Sequence, residues 1–260
     1  MLEQLETIIE NLRAKDEVDA VMLSGSYGPN RKSYSDIDLI IVLNENTESL
    51  KAVYTWIDGI FADIFVFDKS EVATLNDADR IPALDNKLHG CLYAWTLKGD
   101  IRFDKSGSLT ALKSHTIHLE VSDDQKLELW QGINYNFEAN SRYYYSGDPV
   151  YREALELRLM YSIPQMLTGY FAFRNIPWQG EKNALDYLKN HEIGLYQEFI
   201  SFAHNGDIEH KFASYTTMVT MTMTNDYPLW ERTEILPQPK DRPAGKHEAR
   251  LTAYWKLLIS

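Results

Sequence analysis

The sequence predicts an α+β protein in two parts: an N-terminal α/β domain over about residues 1–110 and a C-terminal helical bundle over about 111–260. Three observations carry this reading. Up to about residue 105, short β-rich runs alternate with helix-like or looped segments. Beyond about residue 122, apolar positions recur at helical spacing over long stretches separated by Gly- and Pro-containing breaks. The composition, 44% hydrophobic and 25% charged in 260 residues, is that of an ordinary globular chain large enough for one big domain or two modest ones. No window approaches the roughly 18 consecutive apolar residues that a membrane span needs.

The elements follow in order. MLEQLETIIENLRAK puts Leu2, Leu5, Ile8, Ile9 and Leu12 on one face, so it reads as an amphipathic helix and not as a signal peptide. VDAVMLSG, SDIDLIIVL, ADIFVFD and GDIRFD read as strands. The run Asp36 to Leu43 is apolar on both faces after its acidic start, as an interior strand requires. A helix over roughly Ser49 to Trp56 is expected to join it to the next strand, giving a β-α-β element. Ser122-Asp123-Asp124 offers an N-cap for a helix to about Tyr145, and Ser146-Gly147-Asp148-Pro149 ends it. Pro149 suits the first turn of a helix that runs towards Arg174 with Leu155, Leu159, Ile163 and Leu167 on one face. Asn175 to Gly180 is the next break, and shorter helices reach about Asn225. Pro228 to Gly245, with four prolines, is expected as an extended loop before a last helix near Glu248 to Leu258.

The net charge of −12, from 38 acidic against 26 basic residues, opposes a large nucleic-acid footprint and suits a cationic or neutral small substrate. Solubility alone would also account for it. The single cysteine, Cys91, excludes an internal disulfide and a thiolate cluster and points to a reducing cytoplasm. His115 and His118, three apart, lack an evident third ligand, so a zinc site is not expected.

The chemistry concentrates in the first seventy residues. In Leu23-Ser24-Gly25-Ser26-Tyr27-Gly28 an apolar strand runs into a Gly-Ser turn, whose N–H groups and Ser26 hydroxyl could hold phosphate oxygens. After nine residues between Ser26 and Asp36 (positions 27 to 35) comes Asp36-Ile37-Asp38-Leu39. Carboxylates at i and i+2 of a strand project to one side, with Cα atoms about 6.5 Å apart. Two like charges at the mouth of a buried strand are costly unless a cation sits between them, and hard oxygen ligands suit Mg²⁺. Asp63, among the apolar residues of Phe61 to Phe67, could be brought beside them by a neighbouring strand. Three converging carboxylates can bind two Mg²⁺ ions.

Taken together, GSYGPNRKSYSDIDLIIV followed by ADIFVF resembles the polymerase-β-type nucleotidyltransferase superfamily over most of the first hundred residues. GDIRFDKSGSLTAL and, more loosely, the stretch from Tyr135 to Asn175 resemble its aminoglycoside and lincosamide nucleotidyltransferase branch. The resemblance implies a catalytic domain with a mixed sheet and a helical substrate-binding domain. It implies that Gly25 and Ser26 grip the triphosphate and that Asp36 and Asp38 ligate Mg²⁺. Asp63 would take the acceptor's proton or bind the second ion. The co-substrate would be ATP or another nucleoside triphosphate, and the acceptor a hydroxyl of a small molecule. Homodimers in which the helical half of one chain completes the other's cleft are compatible with the resemblance. Some relatives carry the general base on a helix, for which Glu138, Glu153 and Glu156 are the equivalents available here. Lys182, at a helix start, could reach a phosphate, although a solvated surface lysine is the simpler description. Tyr143 to Tyr145 could line a pocket or simply fill a core. The competing reading is an antitoxin-like or regulatory protein that keeps the fold and binds or modifies a protein partner. RNA tailing is disfavoured by the charge.

Overall fold

The computed structural model describes residues 3–24, 35–82, 87–231 and 247–259. The chain divides into two compact units, one of residues 1–127 with 174–187, the other of residues 128–173 with 188–260. No helix among the described residues is long and apolar enough to cross a membrane.

The first unit is built on a five-stranded mixed sheet in the order β3-β4-β2-β1-β6. Its strands are β1 (Val18–Ser24), β2 (Ile37–Leu43), β3 (Ala52–Ile57), β4 (Ile60–Asp68) and β6 (Asp100–Asp104). β2 runs parallel to β4, and the other neighbours are antiparallel. A small parallel pair, β5 (Arg80–Pro82) with β7 (His118–Glu120), lies apart from the main sheet. Strand alternation sends two sets of side chains to opposite faces. Val21, Leu23, Leu39, Ile41, Ile64 and Val66 pack with Leu5 and Ile9 of α1 (Glu3–Arg13). Met22, Ile40, Val42 and Phe67 pack under α2 (Lys69–Asn76), α3 (Lys87–Lys98) and α4 (Ser108–Ser114). Covering both faces explains why β2 reads as an unbroken apolar run.

One element departs from the sequence expectation. The stretch expected as a helix over Ser49 to Trp56 is instead the edge strand β3, hairpinned onto β4. Val53, Thr55 and Ile57 are β-branched, and Tyr54 and Trp56 are aromatic, which suits a pleated strand better than a helix. The decisive signal is Asp58-Gly59, where both residues take positive φ, 51° and 76°. That is the geometry of a two-residue hairpin turn whose twist matches its strands. The parallel pair β2 and β4 is therefore joined through a hairpin strand, not through the helix of a β-α-β unit.

The second unit is helical. It takes in most of α5 (Asp123–Tyr145), then α6 (Pro149–Phe173), α8 (Ile193–His204), α9 (Ile208–Thr222) and α10 (His247–Ile259); α7 (Glu181–His191) is shared with the first unit. α5 begins with a reciprocal cap, in which the Gln125 N–H donates to Ser122 Oγ and the Ser122 N–H donates to Gln125 Oε1. α6 opens with Pro149 and buries Leu155, Leu159, Ile163 and Leu167 at helical spacing. A polar seam joins α5 to α6: Arg158 donates to Asn140 Oδ1 at 2.7 Å and to Asn136 Oδ1 at 3.0 Å, and Asn136 donates to Gln165 at 2.7 Å. Most of the loop expected over Pro228 to Gly245 lies outside the described residues.

Candidate active site

The strand register assembles the site. Ser24, the last residue of β1, pairs with Asp38 near the start of β2, and Asp38 pairs with Asp63 of β4. Because β2 and β4 are parallel and in register, Asp38, second in β2, and Asp63, fourth in β4, lie side by side towards one end of the strands. Alternation puts Asp38 on the face of Ile40 and Val42, and Asp63 on the face of Phe67, so the two side chains share one side. Asp36, two residues before Asp38, completes the group. One carboxylate oxygen from each of Asp36, Asp38 and Asp63 lies within 4.8 Å of the others, and all three residues are half-buried.

The electrostatics are those of crowded carboxylates. Burial, then the charges of Asp36 and Asp63, push the Asp38 carboxyl up to about 6, against the pull of the Lys182 ammonium. Burial and the charge of Asp36 also raise Asp63. Three carboxylates this close repel one another, and a divalent cation converts that repulsion into binding energy. The donor set, oxygen only and half-buried, fits Mg²⁺ in preference to a soft metal.

Among the described residues Lys182 is the basic group whose charge bears on Asp38, and it enters from the second residue of α7, 144 positions later in the chain. Residues 174–187 belong to the same compact unit as the sheet. No spacing rule could have linked Lys182 to Asp38; the only sequence signal is its place at a helix start after Gly180, which adopts φ 83°. The other candidates are distributed as follows. Gly25 and Ser26 lie outside the described residues. Glu138, Glu153 and Glu156 belong to the second unit, where the first two are exposed and Glu156 accepts from Lys211 at 2.9 Å. Tyr144 stacks on Phe212 at 4.1 Å, and Tyr143 packs against Tyr151 and under the Arg158 guanidinium, while Tyr145 is exposed. His115 caps α4 and His118 lies in β7, so the two do not share a helix.

A known domain family covers the strands that carry the acids. Residues 5–116 match the model of the nucleotidyltransferase domain family. Among solved structures, a nucleotidyltransferase-like protein from Exiguobacterium sibiricum 255-15 is similar, at 11% identity and a TM-score of 0.45 over 85% of this chain and 75% of that one. No curated protein matches the chain significantly. The matched span contains the whole five-stranded sheet and all three converging acids. Residues 5–116 of the chain are a nucleotidyltransferase domain, consistent with the polymerase-β-type superfamily.

Proposed function

We propose that the chain is a Mg²⁺-dependent enzyme that moves a nucleoside monophosphate, most simply AMP from ATP, to a hydroxyl of a small molecule. Aminoglycoside or lincosamide antibiotics are the acceptor class to test first. The observation that carries the reading is the convergence of Asp36, Asp38 and Asp63, with two of the three held above the ordinary carboxylate range. An acid cluster of this kind is unfavourable on its own and gains its purpose from a cation and a triphosphate.

In this mechanism Asp36 and Asp38 would hold one ion and Asp63 would help hold a second. When bound, such ions neutralise charge on the triphosphate and lower the pKa of the attacking hydroxyl. Asp63, beside the reacting oxygen, either accepts the proton of the acceptor hydroxyl directly or holds the ion that makes that proton easier to lose. The freed oxygen attacks the α-phosphorus in line, a new P–O bond forms, and the bond to pyrophosphate breaks with its electrons leaving on pyrophosphate. Lys182 supplies positive charge towards the acids and the leaving group. Gly25 and Ser26 are assigned to the triphosphate from the sequence motif alone. Positioning and charge neutralisation account for most of the rate in such a transfer. A single cysteine, Cys91, suits an enzyme of the reducing cytoplasm.

The test is pyrophosphate release and product mass with Mg²⁺, each of the four nucleoside triphosphates, and a panel of aminoglycosides and lincosamides. A product heavier by one nucleotide, absent with Asp38→Asn, is expected. Tight Mg-nucleotide binding without turnover on any of these acceptors would redirect the acceptor assignment to a metabolite or a protein. A co-purifying protein partner retained by Asp38→Asn would favour the regulatory alternative.

A further inference from the structure

Beside the acids the sheet carries a feature that nucleotidyl transfer does not itself require. β3 is an edge strand, and edge strands are normally blunted by charge or cover. This one instead exposes large aromatic rings. Tyr54 pairs with Asp63 and Trp56 pairs with Phe61, so all four side chains lie on the acid-bearing face. Continuing the β2–β4 register outward from Ile37 and Ala62 brings Asp36 level with Phe61. Two short rows result, Asp38–Asp63–Tyr54 and Asp36–Phe61–Trp56, with neighbouring strands about 4.8 Å apart.

Tyr54 is 61% exposed, Trp56 66% and Phe61 40%, so these rings contribute little to either core. They are nevertheless braced. Trp56 meets Phe61 edge to face at 5.6 Å. Tyr54 meets Phe65 edge to face at 6.5 Å, and Phe65 stacks on Trp95 at 4.9 Å. A contiguous exposed aromatic surface usually marks a binding site. Aromatic faces next to carboxylates favour one chemistry above others, a ring that carries positive charge. The net charge of −12 adds a long-range pull on the same ligands.

We infer that Tyr54, Trp56 and Phe61 form the acceptor subsite, and that the acceptor is a ring-bearing amino alcohol whose ring lies on these side chains and whose hydroxyl reaches Asp63. The role of the hydroxyl rests on the nucleotidyl-transfer reading; the capture of a cationic ring does not. Calorimetric titration of the full chain separates the two, with kanamycin as a polycationic ring-bearing probe, methyl α-glucoside as its neutral counterpart, and Mg²⁺ with α,β-methylene-ATP as the nucleotide probe. Kanamycin should bind the wild type, and the glucoside about tenfold more weakly or worse. Trp56→Ala and Tyr54→Ala should each weaken kanamycin about tenfold, Trp56→Phe should stay within about threefold, and nucleotide binding should be unchanged in all three.

Absence of kanamycin binding overturns the inference, as does equal binding of the glucoside or indifference to both alanine variants. An alanine variant that loses the nucleotide as well also counts against it, since the rings would then be acting on the whole site. A dimer abolished by Trp56→Ala would assign the rings to pairing between strand edges instead. If the wild type fails to bind the nucleotide, the transferase reading falls, and the subsite is decided by the kanamycin titrations alone.

Discussion

Two acids on adjacent strands of one sheet, one buried and one half-buried, have opposite fates. Asp19, at the start of β1, is nearly inaccessible, and burial alone would raise its pKa. Hydrogen bonds from Ser106 and Lys69, the Lys69 charge and a further bond from Ser108 outweigh that burial and hold the carboxyl below its ordinary value. Ser106 Oγ donates at 2.6 Å, Lys69 Nζ at 3.2 Å and Ser108 Oγ at 3.2 Å. Asp38, at the other end of the sheet, has two more acids for neighbours and, among the described residues, the Lys182 charge in its favour. The first acid is satisfied by the fold and ties β1 to α2 and to the β6–α4 turn. The second is crowded by like charge. A buried carboxylate with its own donors is structure, whereas carboxylates that have chiefly one another are a place for a cation.

The sharpest way to break this contrast is to neutralise one acid at each end. Asp38→Asn should lower nucleotidyl transfer about 10³-fold, measured by pyrophosphate release, while leaving the fold intact. Asp19→Ala should do the reverse. It leaves Ser106, Ser108 and Lys69 without their acceptor and should cost about 2–3 kcal/mol, or roughly 5–10 °C in Tm. Activity per folded molecule should change less than about twofold, because Asp19 lies five residues, about 17 Å of strand, from the Ser24 end. Loss of transfer in Asp19→Ala beyond the unfolded fraction would remove the distinction between the two ends.

The titrations sharpen the same point. Asp38 has a folded-state pKa of about 6, above the unfolded value of 3.8, so the folded state holds the extra proton. Stability from this group is present below about pH 4 and is lost as pH rises through 6. Asp19 is depressed, so its contribution is present above the unfolded value and disappears as pH falls towards its folded one. Without divalent cation, Asp38→Asn should therefore melt close to the wild type at pH 5 and about 2–4 °C above it at pH 7.5, equivalent to about 1 kcal/mol. Millimolar Mg²⁺ should reverse the order at pH 7.5 by stabilising only the wild type. A Tm difference independent of pH and Mg²⁺ would separate Asp38 from both cation and neighbouring acids.

The sequence carried the acids more legibly than it carried their surroundings. Asp36 and Asp38 are legible because strand alternation is local: i and i+2 share a side wherever the strand lies. Asp63 needed the additional fact that β2 and β4 are parallel and in register, which no local pattern supplies. The long helices were legible through caps and breaks, as at Ser122, Pro149 and Gly180. β3 was not, because its exposed edge has no burial pattern to read: Val53, Tyr54 and Trp56 all face solvent to a large extent. Its aromatic surface was hidden with it. Lys182 was out of reach for a different reason, since a charge that acts across 144 residues of sequence is a product of tertiary packing.

The smallest expected effect lies in the hairpin that holds those rings, and a glycine of the helical unit sharpens it. Gly59 adopts φ 76° with nothing near a would-be Cβ, so any cost of substitution is backbone strain alone. Gly206, before α9, also has open space but no positive φ. Gly59→Ala should cost about 1 kcal/mol, a fall of roughly 2–4 °C, because an L side chain resists the left-handed region. Gly206→Ala should be neutral or should gain up to about 1 kcal/mol, since it removes freedom only from the unfolded chain. The Gly59 turn is also tied to α1, where Asp58 accepts from the Gln4 N–H at 3.1 Å and the Asp58 N–H donates to Gln4 Oε1 at 2.8 Å. Strain there should consequently loosen β3 without unfolding the sheet. Hydrogen exchange should speed up in residues 52–57 of Gly59→Ala while β2 keeps its protection. Equal thermal shifts in the two glycine variants would mean that the positive φ at Gly59 is not what sets the hairpin.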